Sequence, residues 1–122
     1  MSNSTNKLVV VIKHGIDDEL SSIGFTIANG GLNNGMEVSI FLTSGGVDLV
    51  RKGGAEMTRV KPFLALRSLI ASFQEGGGTI WSCTPCTEAR GYKQENLLDG
   101  VIITGAGPML QALKEGAASI SF

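Results

Sequence analysis

A chain of 122 residues with 10 basic and 11 acidic side chains carries a net charge of −1 and suits one domain with its own apolar core. That balance, with no basic block and no aromatic–basic stripe, excludes a nucleic-acid-binding surface of the usual kind. The longest apolar runs, "LVVVI" and "VSIFL", are far too short to span a membrane, and the polar start "MSNSTNK" lacks the basic n-region and long apolar stretch of a secretory signal. The cytosol is therefore the expected compartment.

No linker, repeat or low-complexity tract divides the chain, so residues 1–122 read as one domain. Short β-rich runs alternate with longer segments of helical period. "KLVVVIK" (7–13) is the first strand, apolar on both faces as a buried parallel strand is. "DDELSSIGFTIANGGL" comes next as a helix with Leu20, Ile23, Gly24 and Ile27 on one face. Asp17 and Asp18 sit at its start as favourable charges, and Gly30-Gly31 ends it. "MEVSIFL" (36–42) is the second strand, and 43–61 is irregular apart from one helical turn at Val47–Arg51.

Pro62 then opens a helix whose stripe is Leu66, Leu69, Ile70 and Phe73 and which the triple glycine stops. "TIWSC" (79–83) is the third strand, Thr84–Arg90 a short helix with Gly91 at its C-cap, and "GVIITG" (100–105) the fourth strand. "GPMLQALKEG" is another helix and "AASISF" (117–122) the last strand. Strand–helix–strand units with long crossovers predict a three-layer α/β/α fold: a mainly parallel five-stranded sheet of flavodoxin-like size with helices on both faces.

Open parallel sheets bind ligands at the carboxyl ends of their strands. The first strand here leads into His14, Gly15, Asp17 and Asp18, and the second into Thr43, Ser44, Gly45 and Gly46. The third leads into Cys83, Thr84, Pro85 and Cys86, and the fourth into Thr104, Gly105 and Ala106. The fold thus gathers the single histidine, both cysteines and a set of small polar residues at one edge. His14, Thr43, Ser44, Gly45, Thr84, Pro85 and Arg90 are the expected binding residues around Cys83 and Cys86.

Cys83 is expected to end its strand, with Cys86 in the first turn of the next helix. A free cysteine titrates near about 8.5, and backbone N–H groups or a helix start lower that to roughly 3.5–7.5. Cys83 reads as the reactive thiol and Cys86 as a thiol near enough to resolve a disulfide, against the plainer reading of two buried packing residues. A closed zinc site requires about four ligands, which this chain reaches only with a second subunit, so no metal is expected. The CxxC comes too late in the chain for a thioredoxin-like motif. "GAGPML" (105–110) is a truncated echo of a dinucleotide fingerprint and reads as a turn into a helix, so no cofactor is expected. His14 reads as a loop residue that could shuttle protons. Arg90 is either a tether for an anion or, with Glu88 nearby, a solvated charge. Trp81 and Phe73 read as core or interface residues, and Met57 and Arg59 as part of a loop that could act as a lid.

"VVVIKHGIDDE", "VSIFLTSGGVDLVRKG", "GGTIWSCTPCTEARGY" and "GVIITGAGPMLQAL…GAASISF", in this order and spacing, resemble the DsrE/DsrF-like family of small sulfur-trafficking proteins over nearly the whole chain. The resemblance implies a five-stranded α/β fold, a cytoplasmic location and assembly into dimers, trimers or hexamers. A mean hydropathy of +0.20 is in keeping with some covered apolar surface. In sulfurtransferase members a cysteine lies seven residues before an Arg-Gly pair. Arg90-Gly91 places that role, a persulfide, on Cys83, with sulfur donor and acceptor proteins as partners. Cys86 belongs to a CxxC variant. "GGAEMTRVKP" replaces the stretch that neighbours the cysteine in the relay proteins. The resemblance alone leaves open a non-catalytic ligand-binding module and a dithiol/disulfide redox protein.

Overall fold

Runs rich in valine and isoleucine form the centre of the molecule because β-branched side chains pack well on a pleated, doubly covered sheet. The computed structural model describes residues 6–56 and 58–122. Most of the polar start, and Met57 of the expected lid, lie outside the described residues. Five strands, β1 (Lys7–Ile12), β2 (Glu37–Leu42), β3 (Thr79–Cys83), β4 (Ile102–Thr104) and β5 (Ala118–Ser121), form one sheet in the order β4-β3-β2-β1-β5. Every pairing is parallel. The expected architecture is present, with all strands parallel rather than most.

The helices are α1 (Glu19–Asn33), α2 (Leu66–Glu75), α3 (Thr84–Ala89) and α4 (Gly107–Lys114). The connections from β1 to β4 all step the same way across the sheet, while the return to β5 steps back. Right-handed crossovers therefore place α1 and α2 together on one face and α4 on the other. Beneath α1 and α2 the register aligns Val10, Ile40 and Ile80, each almost wholly buried. Phe25 of α1 meets Phe73 of α2 edge-on, ring centroids 6.0 Å apart, a geometry worth about 0.5–1.5 kcal/mol beyond area burial. The opposite face carries the row Val11, Phe41, Trp81 and Ile102, the last of which is 48 % exposed.

Four features of the helices differ from expectation. Helix α1 runs through Gly30-Gly31 to Asn33, and the positive φ falls at Gly35. Gly31 is needed inside the helix, because a Cβ there would stand 2.8 Å from Val38 Cγ2. The same close approach rotates the buried face of α1. It is formed by Ser21, Gly24, Phe25, Ala28 and Gly31, while Ile27 is exposed and Leu20 and Ile23 are only partly covered. Pro62 does not open α2, which begins at Leu66; Pro62 follows a cis peptide bond in the preceding loop. The segment after β2 is a regular 3-10 helix over Ser44–Val50 rather than a single turn at Val47–Arg51. Asp18, by contrast, does sit at the start of α1, where its Oδ1 accepts the Leu20 N–H at 2.8 Å.

Candidate functional site

Parallel strands end together, so the loops after β1, β2 and β3 meet at one edge. The loop after β2 is fastened to the end of β1: Thr43 donates its N–H to Ile12 O at 3.1 Å, and Gly46 lies so close that a Cβ there would be 2.3 Å from the same oxygen. Gly45 packs beside Gly15, the residue after His14, where a Cβ would stand 3.4 Å from the Gly15 nitrogen. At Ser44 the chain enters the left-handed region with φ 52°, uncommon for a residue other than glycine.

That loop holds a thiol. The Ser44 N–H donates to Cys86 Sγ at 3.2 Å, and Thr43 Oγ1 lies 3.5 Å from the same sulfur. The Thr43 hydroxyl and then the Ser44 amide, with smaller help from the Cys83 thiol and the positive charge of Arg90, hold the Cys86 thiol below the usual cysteine value, against the opposing effect of burial. The donors come from a loop some forty residues upstream and not from the start of the short α3.

Cys83 is the N-cap of α3 and Cys86 occupies its third position. An N-cap side chain naturally meets the third residue of its helix, so the two thiols are neighbours. Buried hydroxyls fix the turn between them. Thr87 Oγ1 donates to Cys83 O at 2.6 Å, which leaves Ser82 Oγ to donate to Thr87 Oγ1 at 2.7 Å. Both hydroxyl residues are fully buried. Neither role is legible in the sequence, because a threonine in a short helix carries no signal of this kind.

Arg90 is neither loose nor paired with Glu88. Its Nη1 donates to Cys86 O at 3.2 Å, and its Nε lies 3.5 Å from Asp48 Oδ1 in the 3-10 helix. The same Asp48 oxygen accepts the Tyr92 hydroxyl at 2.6 Å. Asp48 and Tyr92 are not legible as site residues from sequence. Together they keep a positive charge beside the thiol pair, and Arg51, Lys52 and Arg90 line a shallow cleft of about 380 Å³ next to α3. Thr84 and Pro85 shape the first turn of α3, but among the described residues no side-chain hydrogen bond joins Thr84 to a thiol. His14 stands at the same edge without contacting the pair by hydrogen bond: its carbonyl accepts the Ser21 hydroxyl at 2.7 Å, and its Nδ1 is buried with no partner. Among the described residues no three His, Cys, Asp or Glu side chains gather as a metal site, and no helix is long and apolar enough to cross a membrane.

Alongside this geometry, a family model described as the DsrE/DsrF-like family matches residues 6–122. The chain belongs to the DsrE/DsrF-like family. Among relatives, the uncharacterized protein MJ0989 of Methanocaldococcus jannaschii is 29 % identical over 95 % of this chain and 99 % of its own length. The uncharacterized protein MK0008 of Methanopyrus kandleri is 33 % identical over 75 % of this chain and 72 % of its own. Among solved structures, the ychN protein from E. coli superimposes with a TM-score of 0.76 at 17 % identity, covering 95 % of this chain and 97 % of that one. MTH1491 of Methanobacterium thermoautotrophicum does so with 0.68 at 20 % identity, covering 95 % and 98 %. These likenesses establish the DsrE-like fold; none of these proteins' names states a reaction.

Proposed function

We propose that this DsrE-like protein is a carrier of sulfane sulfur, held as a persulfide on Cys83 of the Cys83–Cys86 pair and passed to the thiol of a partner protein in the reducing cytosol. The observation that carries the reading is the pair itself: two half-buried, free thiols at the carboxyl edge of the sheet, one of them bonded by Ser44 N–H and Thr43 Oγ1. A persulfide carrier must present an ionised sulfur without exposing it fully to stray thiols, and this edge meets both needs. The spacing to Arg90-Gly91 is the feature that points to Cys83 within the family. The chemistry requires no electron carrier, because sulfane sulfur moves between thiolates without net oxidation.

The same reading includes self-assembly. Ile102 of β4 and Leu110 of α4 are 48 % and 52 % exposed, and register sets Ile102 beside Trp81. Apolar side chains of this size left open to solvent suit coverage by another copy of the chain.

Cyanolysis tests the carrier. Protein treated with a small persulfide and then desalted should yield thiocyanate on addition of cyanide, and Cys83→Ser/Cys86→Ser should yield none. Thiocyanate at background from both forms would remove the reading. A second reading, a dithiol/disulfide redox protein, is favoured by the N-cap-to-third-residue relation of the two thiols. It requires a Cys83–Cys86 disulfide after mild oxidation, visible as a mass loss of two hydrogens.

A further inference from the structure

The donors at this site do not fall on the cysteine that the Arg-Gly spacing selects. Ser44 N–H and Thr43 Oγ1 converge on Cys86 Sγ, and among the described residues no such donor from the loop reaches Cys83. The cradle is built with some strain: Ser44 adopts φ 52°, and its loop is pressed against β1 at Gly46, where a side chain has no room. A loop constrained in this way to direct an N–H and a hydroxyl at one sulfur is arranged for the anionic form of that sulfur. The Cys83 thiol is its immediate neighbour across the first turn of α3.

We propose that the pair works as an internal two-station relay, with Cys86 the entry thiolate that takes sulfur from the donor and Cys83 the station from which it leaves. The proposal rests on the carrier reading above and divides its labour. In the first step Cys86 thiolate attacks the terminal sulfur of a donor persulfide R–S–SH. The Cys86 S–S bond forms, the donor S–S bond breaks, and R–S⁻ departs to take a proton from solvent. In the second step Cys83, its proton given to solvent, attacks that same terminal sulfur. The Cys83 S–S bond forms, the Cys86 S–S bond breaks, and Cys86 returns as thiolate to its two donors. No atom changes its net oxidation state across the pair.

The cradle drives the sulfur forward. A thiolate stabilised by hydrogen bonds is the better leaving group, so attack at the terminal sulfur expels Cys86 readily and leaves the persulfide on Cys83. The lowered thiol value of Cys86 agrees with both duties, a populated nucleophile and a good leaving group.

A loading time course at neutral pH with a small persulfide donor, quenched by alkylation and followed by peptide mapping, tests this. Because both cysteines fall in one short segment, the map is made by fragment masses between them. Wild type should show the added sulfur first on Cys86 and then on Cys83. Cys83→Ser should still load Cys86 and should hold the sulfur there, with none moving on. Cys86→Ser should load Cys83 at least about tenfold more slowly, as loss of a preformed thiolate implies. Thr43→Val, which removes the hydroxyl from Cys86 Sγ, should slow loading of Cys86. Loading of Cys83 at the wild-type rate in Cys86→Ser would overturn the relay, as would release of hydrosulfide with a Cys83–Cys86 disulfide, which reports attack on the inner sulfur. Absence of any added sulfur in every form is a different failure, that of the carrier reading itself.

Discussion

Ser44 gives its backbone N–H to the sulfur of Cys86 at 3.2 Å, joining the loop after β2 to the first turn of α3. A backbone donor survives every substitution except proline, so the contact depends on loop placement rather than on side-chain identity. Thr43 adds a hydroxyl to the same sulfur. These two contacts make the thiol at position 86 chemically unlike an ordinary cysteine.

The first consequence is a pH profile. Thr43, then Ser44, with help from Cys83 and Arg90, lower the Cys86 value, so its thiolate persists below the usual thiol range near about 8.5. Alkylation of Cys86 by iodoacetamide in Cys83→Thr should rise with pH to a midpoint below that of a model thiol. Thr43→Val should move the midpoint up and slow alkylation at neutral pH by about three- to tenfold, the effect of losing one hydrogen bond worth roughly 1 kcal/mol. A midpoint unchanged by Thr43→Val would show that the hydroxyl does not act on the thiol. The same depressed value adds stability that is present above the unfolded thiol value and lost as pH falls through the folded one.

Much of this architecture is legible in the sequence. Alternation of valine-rich runs with helical periods yields the five strands and four helices, and the rule that parallel sheets bind at their carboxyl edge places Thr43, Ser44, Cys83 and Cys86 at one edge ahead of any structure. What sequence does not carry is contact at distance. Periodicity puts Leu20, Ile23 and Ile27 beside Gly24 on the face of α1, whereas the helix docks through Gly24, Phe25, Ala28 and Gly31, because backbone approach to Ile12 and Val38 matters more than side-chain size there. Spacing selects Cys83, but only the folded loop shows which sulfur receives the donors. The tie from Tyr92 through Asp48 to Arg90 joins three separate segments, and no local pattern announces it.

Gly46 links the loop to the sheet. A Cβ at that position would meet Ile12 O at 2.3 Å, and backbone cannot swing aside as a flexible side chain can. Gly46→Ala should destabilise the fold by about 1–3 kcal/mol in urea unfolding. It should also reduce Cys86 alkylation at neutral pH in the population still folded. Wild-type stability together with wild-type alkylation would mean that the loop position is not set by this contact.

Tyr92 offers a second pH test. Its hydrogen bond to Asp48, with burial and the Asp48 charge adding to it, raises the phenol value above its ordinary one. A raised folded value contributes stability that is complete below the unfolded phenol value near about 10 and fades as pH climbs through the folded one. Tyr92→Phe should cost about 0.5–1.5 kcal/mol at neutral pH, with the difference from wild type shrinking in strong alkali. Ultraviolet difference titration of the wild type should place the phenol transition higher than in free tyrosine. A difference in stability that stays constant with pH would contradict the role given to the hydrogen bond.

The open sheet face leads to a hydrodynamic test. Size-exclusion chromatography with light scattering should find wild type as an oligomer, and Ile102→Lys or Leu110→Lys as a smaller species of unchanged helical content. A wild-type monomer at high protein concentration would rule out self-assembly through this face.

Intact-mass spectrometry of the protein after brief exposure to a small persulfide, followed by desalting without reductant, bears most directly on the central claim. The expected spectrum shows one added sulfur on wild type, removed by dithiothreitol, and none on Cys83→Ser/Cys86→Ser. A wild-type spectrum without the added sulfur, from folded protein whose thiols still alkylate, would contradict the claim that this pair carries sulfane sulfur.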